Sequence, residues 1–220
     1  MSAKIPIRLI TALALSASFS VGLLVARVIA SESSRYIFLL WNLTLAVIPL
    51  LLGWWLVERV RTHGWLKWKQ ILLTLVWLSF LPNSFYLTSD FVHLRETYEA
   101  SLIFDVVMLM SFAVNGLIFG LMSLYLIHKE LLRRLKPRQA FALVTAVLLA
   151  CSFATYLGRY TRWNSWDVVF RPFGLIFDVS DRFLNPAAHS QTYLSTLLFF
   201  GFLTTLYFVI WEMTRLLEKK

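Results

Sequence analysis

Apolar positions fall in six long runs, near residues 7–29, 35–57, 69–90, 103–127, 139–158 and 192–213. Each is about 20 residues or longer, enough for a helix to cross a hydrocarbon core of roughly 30 Å. The pattern predicts an all-α polytopic membrane protein: a bundle of six transmembrane helices in one integral domain, residues 1–220. The third run is not uniformly apolar. Wound as a helix, it carries Ser79, Asn83, Tyr86, Asp90 and His93 on one face at steps of three and four. Phe80, Phe85, Leu87, Phe91, Val92 and Leu94 occupy the other. Polar and ionisable groups inside a membrane span are costly and mark places where a helix does more than fill space. Pro82 lies in the same stretch. It removes the N–H that would bond the Leu78 carbonyl, so a kink is expected there.

Composition agrees with the pattern. The chain is 59% apolar and 15% charged, against roughly 45–50% and 25% in soluble domains. Its mean hydropathy is +0.69. The bilayer therefore stands in for much of the burial a soluble core would provide.

The net charge of +9 raises nucleic acid as a partner, but its distribution points to a membrane. Of the 21 Lys and Arg, 14 lie in the N-terminus, the 58–69 and 128–138 loops and the tail. The alternate loops, near 27–35, 90–102 and 159–191, hold the other 7. By the positive-inside rule both termini are expected in the cytoplasm of a bacterial plasma membrane. The segment HKELLRRLKPR then reads as a topology signal touching anionic lipid, with no nucleic acid bound. His63 and His128 lie in these basic loops and read as surface residues.

The first run starts from Lys4 and Arg8 and ends near Ala30, so it also resembles a signal peptide. It is long for one, and Arg27 lies just before the cleavage position, so an uncleaved helix is expected. Cys151 is the single cysteine and reads as a buried, inert thiol.

The 159–191 segment is too apolar for a free loop. Asn164 or Ser165 is placed to cap a short helix ending before Pro172, and 173–184 reads as a second short helix. Phe173, Ile176, Phe177 and Phe183 fall to one side of it, Asp178, Asp181 and Arg182 to the other. This is the pattern of an interfacial or re-entrant segment. His189 beyond it reads as a solvated loop residue.

Two groups of residues carry candidate chemistry. A tight hairpin between the third and fourth spans would bring the polar stripe against Tyr98, Ser101, Asp105 and Asn115. Asn83, Tyr86, Asp90, His93, Asp105 and Asn115 would then line a polar cavity open to the outer side. Asp90, His93 and Asp105 are the candidates for acid–base chemistry or, as a weak signal, for metal ligation. The second group is GRYTRWNSWD, residues 158–167. If the fifth helix ran on, Arg159, Arg162, Trp163 and Trp166 would share a face. Arg binds phosphate or carboxylate through paired N–H groups, and Trp shields the ligand. With Asn164 and Asp167 these residues form a candidate anion clamp. The same residues also suit an aromatic belt with snorkelling arginines, or an ion network joining Arg159 or Arg162 to Asp90 or Asp105.

LPNSFYLTSDFVHL (81–94) and GRYTRWNSWD (158–167) together resemble an uncharacterised family of bacterial integral membrane proteins, a domain of unknown function of about this length. That family often has proline where this chain has Phe85. The resemblance implies a multi-span membrane protein and assigns no activity, cofactor or catalytic residue.

Three functions stay open. One is an outer-leaflet pocket for an anionic ligand, such as a lipid phosphate or cell-envelope intermediate. Another is a structural or assembly subunit whose polar residues pack helices. The third is a transporter or ion or proton pathway, a small one at six spans with no repeat unless the protein oligomerises. The sequence does not settle whether the protein is an enzyme, and it names no cofactor.

Overall fold

The computed structural model describes residues 6–94 and 101–218. Among these it is helical, with no strand. The elements are α1 (Ile7–Ser31), α2 (Phe38–His63), α3 (Trp68–Tyr86), α4 (Leu102–Leu131), α5 (Pro137–Tyr160), α6 (Asp167–Phe170), α7 (Pro172–Leu184) and α8 (Ser190–Glu218). Short 3-10 stretches follow α3 (Leu87–His93) and precede α8 (Pro186–His189). Among the described residues six helices are long and apolar enough to cross a membrane. They match the six apolar runs of the sequence, and the protein is a polytopic helical bundle.

The chain divides into two compact units, Met1–Ser123 and Leu124–Lys220. In the first, α2 and α3 pack as a hairpin. Gly53 sits where a Cβ would fall 2.5 Å from the Ser123 hydroxyl oxygen and 3.1 Å from the Trp77 indole nitrogen. That closeness lets the Trp77 indole donate to Ser123 at 2.8 Å, while Ser123 donates to the Pro49 carbonyl at 2.7 Å. Ser84 of α3 donates to the Ala46 carbonyl of α2 at 2.7 Å.

Helix α4 meets α3 through Gly116 and Gly120, a small-xxx-small pair of the kind that lets membrane helices approach closely. A Cβ at Gly116 would collide with the Ser84 carbonyl oxygen, and one at Gly120 would lie 2.6 Å from the Phe85 ring. Helix α1 buries only a narrow stripe, Ser20, Leu24 and Arg27. Its other residues are half-buried or exposed, Ile10, Leu15 and Phe19 among the exposed ones, as suits a helix surrounded by lipid.

Pro82 does not end its helix. Helical bonding runs through it to Tyr86 and then tightens to 3-10 geometry. In the second unit α5 packs against α8. The last turns of α4 bring His128 among Phe141 of α5 and Tyr207 and Trp211 of α8. His128 is not a surface residue as its basic neighbourhood implies. It is fully buried, stacked on Trp211 at 4.1 Å between centroids, with its Nδ1 2.6 Å from the Tyr207 hydroxyl. Helix α4 outlasts the apolar run by more than a turn, so a residue placed in a loop by hydropathy falls on the core stripe. Cys151 is buried, as expected.

Candidate functional site

The polar residues of the first unit gather where α1 ends, α2 begins and α4 begins, but they pair off separately. Arg27 donates to both carboxylate oxygens of Asp105, from Nε at 2.6 Å and from Nη2 at 3.3 Å. The two side chains are 2% and 1% exposed. Tyr36, buried in the α1–α2 turn, lies under the Arg27 guanidinium at 5.7 Å. Burial, and then the Asp105 carboxylate, raise its phenol pKa above the ordinary value, so Tyr36 stays protonated and donates to the His93 carbonyl at 3.4 Å. Lower on the same two helices, the Asn115 amide donates to the Ser20 hydroxyl at 2.9 Å and the Ser16 carbonyl at 3.3 Å. Asp105 and Asn115 therefore face α1.

The stripe on the third span faces elsewhere. Asp90, buried, accepts from the Asn42 amide of α2 at 3.0 Å. The His93 ring meets Phe38 edge-on at 5.1 Å. Phe38 and Asn42 are one turn apart on α2, and the 3-10 winding, with three residues per turn, aligns Asp90 with His93 against them. Asn83 and Tyr86, still on the α-helix, are half-buried. Asp105 and Asn115 thus bond to α1 and Asp90 to α2, while Gly116 and Gly120 bring the third and fourth spans into close contact. Tyr98 lies outside the described residues. Among the described residues no three His, Cys, Asp or Glu come together as a metal-binding group.

In the second unit, GRYTRWNSWD does not extend the fifth helix. Helix α5 stops at Tyr160, and Arg162 adopts a left-handed backbone with φ of 60°. The shared helical face of Arg159, Arg162, Trp163 and Trp166 is therefore not formed. Trp163 turns back onto α7 instead. Its indole donates to Asp178 at 2.6 Å, its ring lies 3.1 Å from where a Gly174 Cβ would stand, and the Arg171 guanidinium sits over it at 5.1 Å. Asp178 also accepts from Arg182, which is buried and stacks over the Tyr156 ring at 5.9 Å. Burial works to lower the Arg182 pKa, but bonding to Asp178 outweighs it and the net shift is upward.

The N-cap of α6 is Trp166, which makes no side-chain cap bond, and the Asn164 side chain does not cap the helix either. The bond runs the other way, with the Asn164 backbone N–H donating to the Asp167 carboxylate at 2.8 Å. Asp167 is buried, while Arg162, Asn164 and Trp166 are exposed and Arg159 is half-buried.

Helix α7 has the two faces its sequence predicts. Phe173 and Phe177 are 85% and 77% exposed, with Ile176 and Phe183 beside them. Asp178 and Arg182 hold the opposite face. Trp163→Ala removes the indole that anchors α7 and is expected to cost about 1 kcal/mol. Faster hydrogen exchange confined to α7 would show it; uniform exchange across the chain would not fit.

The sequence placed His189 in solvent. It is half-buried, with Nε2 2.7 Å from Asp181, which also accepts from Asn185 at 2.7 Å. The bond from Asn185, then that from His189, lowers the Asp181 pKa below its ordinary 3.8. A depressed carboxylate contributes stability above its unfolded pKa and loses it as pH falls through the folded one. The α7 C-terminus is therefore expected to hold at neutral pH and to loosen only below about pH 4. Amide exchange at Asn185 measured between pH 6 and 3 would check this.

The family model matches residues 41–206, which include both motifs, LPNSFYLTSDFVHL and GRYTRWNSWD, while Arg27, Tyr36, Tyr207 and Trp211 lie outside it. The chain belongs to DUF1361, a family of proteins of unknown function. No curated protein and no solved structure matches the chain. For this DUF1361 protein, sequence reasoning missed Asn42, Tyr36, Arg171 and the buried role of Arg27. Arg27 carried a signal, since a cation near the end of an apolar run asks for a partner. Asn42 and Tyr36 carried none, being ordinary residues at a span entrance.

Proposed function

We propose that this DUF1361 protein is a membrane protein that binds an anionic amphiphile, a lipid phosphate or envelope intermediate, at the membrane surface where α7 lies. The observation that carries the reading is the pinned Trp163. It is fixed by Asp178 beneath it and flanked by two exposed arginines, Arg171 over its ring and Arg162 at the left-handed turn. A non-glycine residue in that conformation stores backbone strain, which gathers at ligand clamps. The exposed aromatic face of α7 would lie in the acyl region while Arg162, Arg171 and the Asn164 amide hold the phosphate. Arg159, Trp166 and Asp167 shape the turn, and Asn83, Tyr86 and His93 belong to the wider polar rim. Asp90 and Asp105 serve helix packing in this reading, not acid–base or metal chemistry.

Both termini are cytoplasmic in this proposal, supported by the excess of Lys and Arg in the N-terminus, the 58–69 and 128–138 loops and the tail. The α7 surface is then the outer one. A reporter inserted in the 128–138 loop that proved extracellular would reverse it.

The test is native mass spectrometry of the protein from nanodiscs containing phosphatidic acid, with and without a chelator. Arg162→Gln with Arg171→Gln is expected to weaken lipid retention at least ten-fold. Unchanged retention sinks the clamp, and a mass lost only with chelator would move the reading to a metal site. A structural or assembly subunit is the second reading, favoured by the way Asp105, Asp90 and Asn115 each hold a neighbouring helix.

A further inference from the structure

The opposite end of the α2–α3 hairpin, where α2 finishes and α3 starts, carries a groove of about 740 Å³. Its walls are apolar, formed by Leu52, Leu72 and Val76 on the lipid-facing flanks of the two helices. Its rim is cationic: Arg59, Lys67 and Lys69 line it, all exposed, and no acidic residue does. Two indoles position the charges. Arg59 lies over Trp55 at 5.8 Å and Lys69 over Trp68 at 5.6 Å. Trp residues at a span end mark the depth of the headgroups, so the cations stand at phosphate level and the apolar walls at acyl depth. Gln70, which also lines the groove, is 5% exposed, and its Oε1 has no hydrogen-bond partner. A buried amide oxygen left unbonded is costly, and here it can accept a bond from an occupant's headgroup.

We infer that this groove is a binding site for one anionic glycerophospholipid, with its phosphodiester among Arg59, Lys67 and Lys69 and an acyl chain along Leu52, Leu72 and Val76. Three cations with no carboxylate among the lining residues select a negative headgroup over a zwitterionic one. The apolar walls select a lipid over a free phosphate. Gln70 brings an unbonded amide oxygen to the lining residues, which suits a headgroup that carries a hydroxyl. The site uses neither α7 nor the second unit and stands independently of the proposed function.

The experiment uses the full chain in phosphatidylcholine nanodiscs with graded phosphatidylglycerol, read by native mass spectrometry and by the lipid exchange rate. One phosphatidylglycerol per chain is expected to survive release, in preference to phosphatidylcholine. Lys67→Gln with Lys69→Gln is expected to weaken it about twenty-five-fold, near five-fold per charge. Leu72→Trp keeps every charge and fills the groove, so it should also lose the lipid. Leu72→Gln serves the same purpose if the larger residue disturbs folding. The same measurements on the Arg162→Gln, Arg171→Gln chain, in which the proposed α7 clamp is disabled, count the lipid held by this groove alone and should still give one phosphatidylglycerol. Equal retention of both lipids, no effect of the lysine substitutions, or displacement by glycerol 3-phosphate as effective as by lipid would each overturn the site.

Discussion

Arg27→Ala is expected to destabilise the protein by about 3–5 kcal/mol, the usual cost of stripping one partner from a buried ion pair. Both side chains are almost wholly buried, so the Asp105 carboxylate would be left charged in a low-dielectric site without the two donors that now satisfy it. The Tyr36 ring would lose its cation as well. The pair also ties α1 to α4, and α1 has only Ser20, Leu24 and Arg27 buried with which to hold on. Unfolding in SDS mixed micelles, followed by circular dichroism, measures the effect. Arg27→Lys should fall between, because a lysine cannot make the paired contact. Arg27→Met with Asp105→Leu should recover most of the loss, since an apolar pair of similar volume avoids the desolvation that the ion pair must overcome. A single Arg27→Ala within 1 kcal/mol of the parent would mean that the pair does not hold α1.

Gly116→Val should cost about 3 kcal/mol, at the upper end for overpacking. A Cβ there meets the Ser84 backbone carbonyl, which cannot rotate away, and the Leu87 side chain at 2.9 Å. The α3–α4 interface must open, and the Ser84 bond to the Ala46 carbonyl of α2 is strained with it. Gly22→Ala and Gly201→Ala are the controls. Nothing lies within 4 Å of a Cβ at either position, so these should be neutral or stabilise by up to about 1 kcal/mol through helix propensity. If all three glycine variants behaved alike, close helix approach would not be what Gly116 provides. The same unfolding assay reads all of them.

The six spans, the all-helical class and the two-faced helix near 173–184 were legible from the sequence. Each depends on a local rule: a long apolar run needs a bilayer, and a 3.6-residue period sorts Phe173 and Phe177 from Asp178 and Arg182 whatever else surrounds them. Membership of the family was legible too, because the stretches that suggested it are contiguous. Partner choice was not. That the polar stripe is costly follows from Asn83 and Asp90 lying in an apolar run, but which helix satisfies it depends on how the helices rotate. Gly116 and Gly120 settle that rotation by bringing α4 onto Ser84 and Phe85, which turns Asp105 toward Arg27 and leaves Asp90 to Asn42. Two further outcomes belonged to the tertiary structure. The fifth helix ends at Tyr160, Arg162 turns left-handed, and Trp163 bonds Asp178 of α7 in place of a shared helical face. His128 went inside because α4 continued far enough to pack against Tyr207 and Trp211. Hydrophobic pattern is a property of single segments and fixes what spans the membrane. The pairing of polar groups inside it depends on small residues that set distance between segments, and no single segment contains that information.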